Sequence, residues 1–176
     1  MSDLHMPPEV LPVADDIELI RTQPLDGGLY HAMLMEDDAA EYLEPNAIQQ
    51  AGEECFRMYN AMADGTMLSY WVDCQGAKVG HVGVVQVREQ ATQESYWAME
   101  YWLVRTARAQ GIMPRAARRV LDYAFGADQF SEVVLDITPE NTASQSVARR
   151  IGGVLIPEES DAERQRWRVY KESANA

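Results

Sequence analysis

The chain has 176 residues, is 47% apolar and 24% charged, and carries a net charge of −13. That is ordinary for one globular domain with a core of its own. The acidity excludes a nucleic-acid partner, because phosphate binding needs positive surface, and leaves open either plain solubility or a cationic substrate.

Residues 1–14 hold three prolines and little periodicity, so they read as a loose N-terminal arm ahead of a single domain over 15–176. Ile17 to Thr22 alternates as a first strand. A turn at Asp26-Gly27-Gly28 leads into a short helix, Leu29 to Met35, that ends before the acidic patch Glu36-Asp37-Asp38. A second helix spans Ala47 to Ala63, where Ile48, Ala51, Cys55, Met58 and Met62 recur at helical spacing. The acidic residues at 36–44 and 53–54 are solvated helix faces or the wall of a site for a cationic amine.

The period then changes to two. Thr66 to Cys74, Ala77 to Glu89 and Glu94 to Val104 read as strands, joined by turns at Gln75-Gly76 and Gln90 to Gln93. Together they form an antiparallel meander. A helix follows Gly111, with Ala117, Val120, Leu121, Ala124 and Phe125 as its apolar stripe. Ser131 to Thr138 is a strand and Asn141 to Ile151 a helix that stops at Gly152-Gly153. Val154 to Ile156 and Arg166 to Lys171 close the chain as strands around the acidic loop Pro157 to Glu163. The expected fold class is α/β (α+β), a single domain with a mixed seven-stranded sheet: a meander first, then a parallel strand-helix-strand unit.

Cys55 and Cys74 have no CxxC partner and the three histidines are scattered, so neither a disulfide framework nor a metal site is expected. No apolar run reaches a membrane-spanning length, and MSDLHMPPEV lacks a signal-peptide layout. A cytoplasmic protein with no membrane partner is expected.

Two stretches carry chemistry. The first, RTARAQGIMPRAARRVLDYAFG from Arg105 to Gly126, holds arginines at 105, 108, 115, 118 and 119, with no acidic residue from Tyr101 to Leu121. A helix start exposes unpaired N–H groups and a partial positive charge, so an anion fits there. Gly111 allows close backbone approach, Pro114 suits the first helical turn, and Arg108, Arg115, Arg118 and Arg119 can make charge-assisted contacts to a phosphate. The plainer reading is a capped helix with its arginines in water. The second stretch, Ile137 to Gly153, places Asn141 as an N-cap, with Ser144 and Ser146 in the first helical turns, where a hydroxyl can bond back to a carbonyl.

In this order and at this spacing, the two stretches resemble the GNAT superfamily of acyl-CoA-dependent N-acyltransferases. More narrowly, they resemble its ribosomal-protein-serine/alanine N-terminal acetyltransferase branch. The family's loop, Gln/Arg-x-x-Gly-x-Gly/Ala, follows a strand ending Tyr-Trp-Leu in that branch; here Tyr101-Trp102-Leu103 leads to Arg108-Ala109-Gln110-Gly111-Ile112-Met113. The later pattern appears as Asn141, Ser144, Val147, Ala148 and Gly152. Three positions depart from it. Ala109 replaces the loop's first glycine, Gly153 an aromatic, and Ala148 the tyrosine that serves many members as acid.

The resemblance implies a single GNAT-like domain with helices on both sheet faces, acetyl-CoA as cosubstrate and no metal. Trp102, Leu103, Val104, Arg108, Ala109, Gln110, Gly111, Ile112, Met113 and Arg115 would bind the cosubstrate together with Asn141 and Ser144. Its pantetheine would lie where the strand ending at Leu103 splays from the one near Leu135, with a backbone N–H around Leu103 on the thioester oxygen. Arg118 and Arg119 would be solvated helix surface. Ser144 would protonate the sulfur, Asn141 would position the arm or a water, and Glu100 would be the base, with Glu158 and Glu159 as rivals. A strand glutamate is otherwise a cross-strand ion partner or solvent-facing. Transfer would be a direct attack by a primary amine in a ternary complex. The acceptor stays open among a protein N-terminus, a polyamine, an aminoglycoside and a metabolite, and so does a homodimer. The alternatives are a non-catalytic acyl-CoA sensor and an interaction module. His81 reads as a satisfied sheet histidine, and Tyr70, Trp71, Trp97 and Trp102 mostly as core. Cys74 has no basic neighbour in sequence to make it a nucleophile.

Overall fold

The computed structural model describes residues 6–36, 47–89 and 92–171. Most of the acidic patch at 36–44 and the first half of the turn at 90–93 lie outside them, as do the side chains of 36 and 47–49. Eight strands form one sheet: β1 Val10–Ala14, β2 Ile17–Arg21, β3 Met67–Cys74, β4 Ala77–Arg88, β5 Ser95–Leu103, β6 Glu132–Ile137, β7 Val154–Leu155 and β8 Gln165–Tyr170. Their order is β1-β2-β3-β4-β5-β6-β8-β7. The helices are α1 Gly27–Glu36, α2 Ala47–Ala63, α3 Ile112–Gly126 and α4 Thr142–Arg150.

The alternation of side chains along each strand divides the interior into two cores. Leu68, Tyr70 and Val72 of β3 join Val82 and Val84 of β4 beneath α3, whose Ala116, Ala117, Val120, Leu121 and Ala124 are fully buried. On the opposite face, Met67, Trp71 and Trp102 pack with Tyr30 and Leu34 of α1 and with Ala51, Cys55, Met58 and Met62 of α2. Helices therefore cover both faces, and β3 is buried along nearly its whole length instead of alternating.

Eight strands replace the seven expected, and the extra one lies inside the supposed arm. Val10–Ala14 pairs antiparallel with β2, setting Leu11 opposite Leu19, both buried. Pro12 hides this strand from a pattern reading, because proline cannot donate to a ladder, but β1 is a sheet edge and tolerates it. Arg119 of α3 donates from Nε to the Pro12 carbonyl at 2.9 Å, so this half-exposed arginine also fastens the hairpin to the helix.

The sheet has one weak seam. β4 and β5 pair over nine residues and β6 and β8 over six, but β5 and β6 run parallel and meet in register only at Ala98 and Val134. Beyond that pair the strands part, as expected for the splay between Leu103 and Leu135.

Candidate active site

A cavity of about 620 Å³ runs through this splay. Met99, Tyr101, Leu135, Ile137, Asn141 and Ser144 line it on the α3/α4 side, and Tyr30, Glu54, Arg57, His81, Glu100 and Trp102 on the α1/α2 side. Strand geometry makes the connection. Consecutive residues of β5 point to opposite faces, so Glu100 and Tyr101 enter the same opening from different sides of the sheet.

The backbone at the end of β5 is directed by its neighbour. Val104 N–H donates to the Val79 carbonyl at 2.8 Å, which uses the β4 side. By antiparallel alternation Leu103 turns its N–H and C=O to the splay. Its carbonyl accepts from Arg108 Nε at 2.9 Å, so the arginine side chain closes the loop at the mouth of the splay.

The loop after β5 holds itself in shape. Gln110 Nε2 donates to the Thr106 carbonyl at 2.7 Å. Arg115 Nε donates to the Gly111 carbonyl at 3.2 Å, and its guanidinium lies 3.6 Å from Asp16. Gly111 is the N-cap of α3 at φ 70, and no side chain caps the helix start. Ile112 and Met113 are buried, so they offer a ligand their backbone and not their side chains. Ala109 sits at φ 60, the left-handed region that the loop's usual glycine adopts freely and that costs an alanine about 1–2 kcal/mol.

At the start of α4, Asn141 Oδ1 accepts from Ser144 N–H at 3.0 Å, the capping bond expected of it. The Tyr101 hydroxyl crosses from β5 and donates to the Ser144 carbonyl at 3.2 Å. Burial pushes its pKa up to about 12. Ala148 is fully buried and packs where a tyrosine was absent from the sequence.

On the other face Glu100 stays open to the cavity while protein encloses it elsewhere, so water reaches the carboxyl but hydrates it poorly. Its pKa is raised, first by this desolvation and then by the charge of Glu54, with Arg57 opposing. The rival carboxylates are placed differently. Glu159 is 2.7 Å from Arg168 and 3.7 Å from Arg166, and Glu158 is exposed outside the cavity. Asp136 lines the cavity but is gripped by Arg166 through two hydrogen bonds of 2.8 Å.

The structure thus gathers Glu100, Trp102, Asn141 and Ser144 around one opening, and the loop to Met113 follows the strand that ends beside it at Leu103. Tyr30, Arg57 and Asp136 line the cavity although no sequence signal pointed to them. Helical spacing could have paired Glu54 with Arg57, but nothing local brings them to β5. Among the described residues no group of His, Cys, Asp or Glu could hold a metal ion, and no helix is long and apolar enough to cross a membrane.

The family model described as Acetyltransferase (GNAT) domain matches residues 16–154. The uncharacterized protein YkkB of Bacillus subtilis (strain 168) is 27% identical over 144 residues, 80% of this chain and 83% of its own. RimL, a ribosomal L7/L12 alpha-N-protein acetyltransferase solved with coenzyme A, matches with a TM-score of 0.75 at 17% identity, covering 92% of this chain and 98% of its own. The microcin C7 self immunity acetyltransferase MccE, solved with acetyl-CoA and AMP, matches with a TM-score of 0.72 at 14% identity, covering 96% of this chain and 99% of its own. These last two share a fold and a CoA-type ligand but differ in what they act on. With the family model spanning both the loop and the cavity, the chain belongs to the GNAT family of acetyltransferases.

Proposed function

We propose that this protein transfers an acetyl group from acetyl-CoA to a primary amine by direct attack. The observation that carries this reading is the cavity through the β5–β6 splay, which joins Asn141 and Ser144 on one face to Glu100 on the other. The pyrophosphate would rest on the uncapped start of α3, held by backbone N–H groups of Gly111 to Met113 and by charge from Arg108 and Arg115. Leu103 N–H, turned to the splay, would hold the thioester oxygen as it gains charge, a contact worth roughly 10² to 10³ in rate. Glu100 takes a proton from the acceptor's ammonium, and the freed amine attacks the carbonyl carbon. The carbon–sulfur bond breaks, the thiolate takes the Ser144 proton, and the second proton, shed by the acylated nitrogen, passes through water to restore the Ser144 hydroxyl.

The acceptor side carries Glu54 and Glu100 against one arginine, Arg57, with Asp136 already neutralised by Arg166. That balance favours a cationic acceptor. The test has two arms. Acetyl-CoA should raise the melting temperature by mass action, and no shift at millimolar ligand overturns the reading. Free-thiol release is then followed with a peptide bearing an N-terminal serine, with spermidine and with kanamycin; silence with all three, despite a thermal shift, favours a non-catalytic acyl-CoA sensor.

A further inference from the structure

Beside Glu100 lies a buried polar chain that the proposed chemistry does not use. His81 of β4 is 2% exposed, and its Nε2 lies 2.8 Å from Ser69 Oγ of β3. Ser69 in turn donates to Thr22 Oγ1 at 2.8 Å, and both hydroxyl residues are fully buried. Three polar groups in an otherwise apolar core are costly unless satisfied, and valine or leucine would pack there without them. The chain ends at the cavity, where His81 is a lining residue.

Sheet register fixes which way the ring faces. Ser69, Gly83 and Glu100 are cross-strand partners on β3, β4 and β5, and in the adjacent row His81 stands between Trp71 and Trp102. A Cβ on Gly83 would lie 3.4 Å from His81 Cε1, so the imidazole leans over this glycine into the space a side chain would fill. With Cε1 over Gly83 and Nε2 turned to β3, ring connectivity puts Nδ1 on the side of the ring away from Ser69, and His81 and Glu100 line the same cavity. The Ser69 hydroxyl has Thr22 Oγ1 at 2.8 Å and Met58 Sδ at 3.4 Å to donate to, so we assign it as acceptor of the Nε2 proton of His81. This assignment leaves a lone pair on Nδ1.

We infer that His81 is an acceptor-binding residue: its Nδ1 takes a hydrogen bond from the incoming amine while Glu100 takes that amine's proton. The ring is suited to this because it stays neutral. Burial lowers its pKa to about 4, so near neutrality it offers a lone pair and does not repel an ammonium. The other groups around it are Ser69 and Trp71 of β3, Trp102 of β5, Tyr30 of α1, and Glu54 and Arg57 of α2. Two contacts on one nitrogen, from β4 and β5, aim the amine lone pair at the splay.

This inference rests on the acetyl-transfer reading, and the experiment separates the two. Thiol release by wild type, His81→Leu and His81→Asn is measured with the peptide, spermidine and kanamycin across pH 5 to 9, alongside the acetyl-CoA-induced thermal shift. His81→Leu should lose about ten- to a hundredfold in kcat/KM for the amine, the range for a hydrogen bond to a charged group, with the acetyl-CoA shift unchanged. The acid limb of its profile should move to higher pH, since Glu100 then faces leucine. His81→Asn, which restores an acceptor oxygen, should recover part of the rate. A Leu variant equal to wild type for the amine, or one losing acetyl-CoA binding in the same proportion, overturns the inference while leaving acetyl transfer intact. No turnover by the wild type overturns both. Should His81→Leu fold poorly, Ser69→Ala gives the same readout, because it unlocks the ring tautomer without opening the cavity wall.

Discussion

Replacing Asn141 removes two things that different substitutions can separate. Its Oδ1 caps α4 by accepting from Ser144 N–H at 3.0 Å, and its amide nitrogen is free to position the cosubstrate arm. Losing a cap of this kind costs about 1 kcal/mol, which for a domain of this length is a fall of roughly 2–4 °C in melting temperature. Asn141→Ala should show that fall. Asn141→Asp keeps the accepting oxygen and adds a negative charge at a helix N-terminus, worth about 0.3–1 kcal/mol, so it should melt at or above wild type. Both variants lack the amide N–H, and both should raise KM for acetyl-CoA about fivefold, the equivalent of one hydrogen bond of about 1 kcal/mol. Thermal melts without ligand and steady-state kinetics in acetyl-CoA give the two numbers. An Asp variant as unstable as the Ala variant would refute the capping assignment. One with unchanged KM would refute the positioning role.

Three further outcomes follow. Ser144→Ala should lower turnover more than it weakens acetyl-CoA binding, and equal turnover would remove Ser144 as the acid. Glu100→Gln should cost about 10² to 10⁴ in turnover and also stabilise the fold. The Glu100 pKa is raised in the folded state, so the wild type loses stability as pH climbs from the ordinary carboxylate range through the raised value. Melts should therefore favour the Gln variant at pH 8 and converge with wild type near pH 4; convergence at all pH values would contradict the desolvated carboxyl. Arg166→Met removes two hydrogen bonds to Asp136 from an arginine only 7% exposed, while Arg164 and Arg168 still face the carboxylates, and should cost about 1.5–3 kcal/mol. Arg164→Met, a longer contact at 3.6 Å with the arginine 41% exposed, should cost at most about 1 kcal/mol.

Local chemistry made much of this legible. Helix α2 begins and ends where its spacing and Asp64-Gly65 place it, and the Tyr101-to-Met113 and Asn141-to-Gly152 motifs contribute Tyr101, Trp102, Asn141 and Ser144 to the cavity lining. What stayed hidden depends on partners distant in sequence. Pro12 argued against a strand that exists only because β2 and Arg119 receive it. Glu159 stood as a rival base to Glu100, and two arginines of β8 claim it. His81 read as a satisfied sheet histidine, and its bond to Ser69 bears that out, but that it lines a cavity follows from Gly83 lying between it and Glu100, a matter of register and not of composition.

The β5–β6 seam has a mechanical consequence. With register pairing only at Ala98 and Val134, backbone bonds scarcely couple the five strands from β1 to β5 to the trio β6, β8 and β7. What joins the two blocks is mainly packing on one side, where Val133, Leu135, Trp167 and Val169 share a core with α3, with the Arg166 guanidinium of β8 over the Tyr96 ring of β5 on the other. On the other side, no helix core residue among those described reaches β6 or β8. The domain is therefore built like a book bound mainly along one cover, and the opening between its pages is the cavity itself. Whatever spans that opening bonds to both blocks at once, so ligand affinity and the rigidity of the sheet are set by the same few backbone groups.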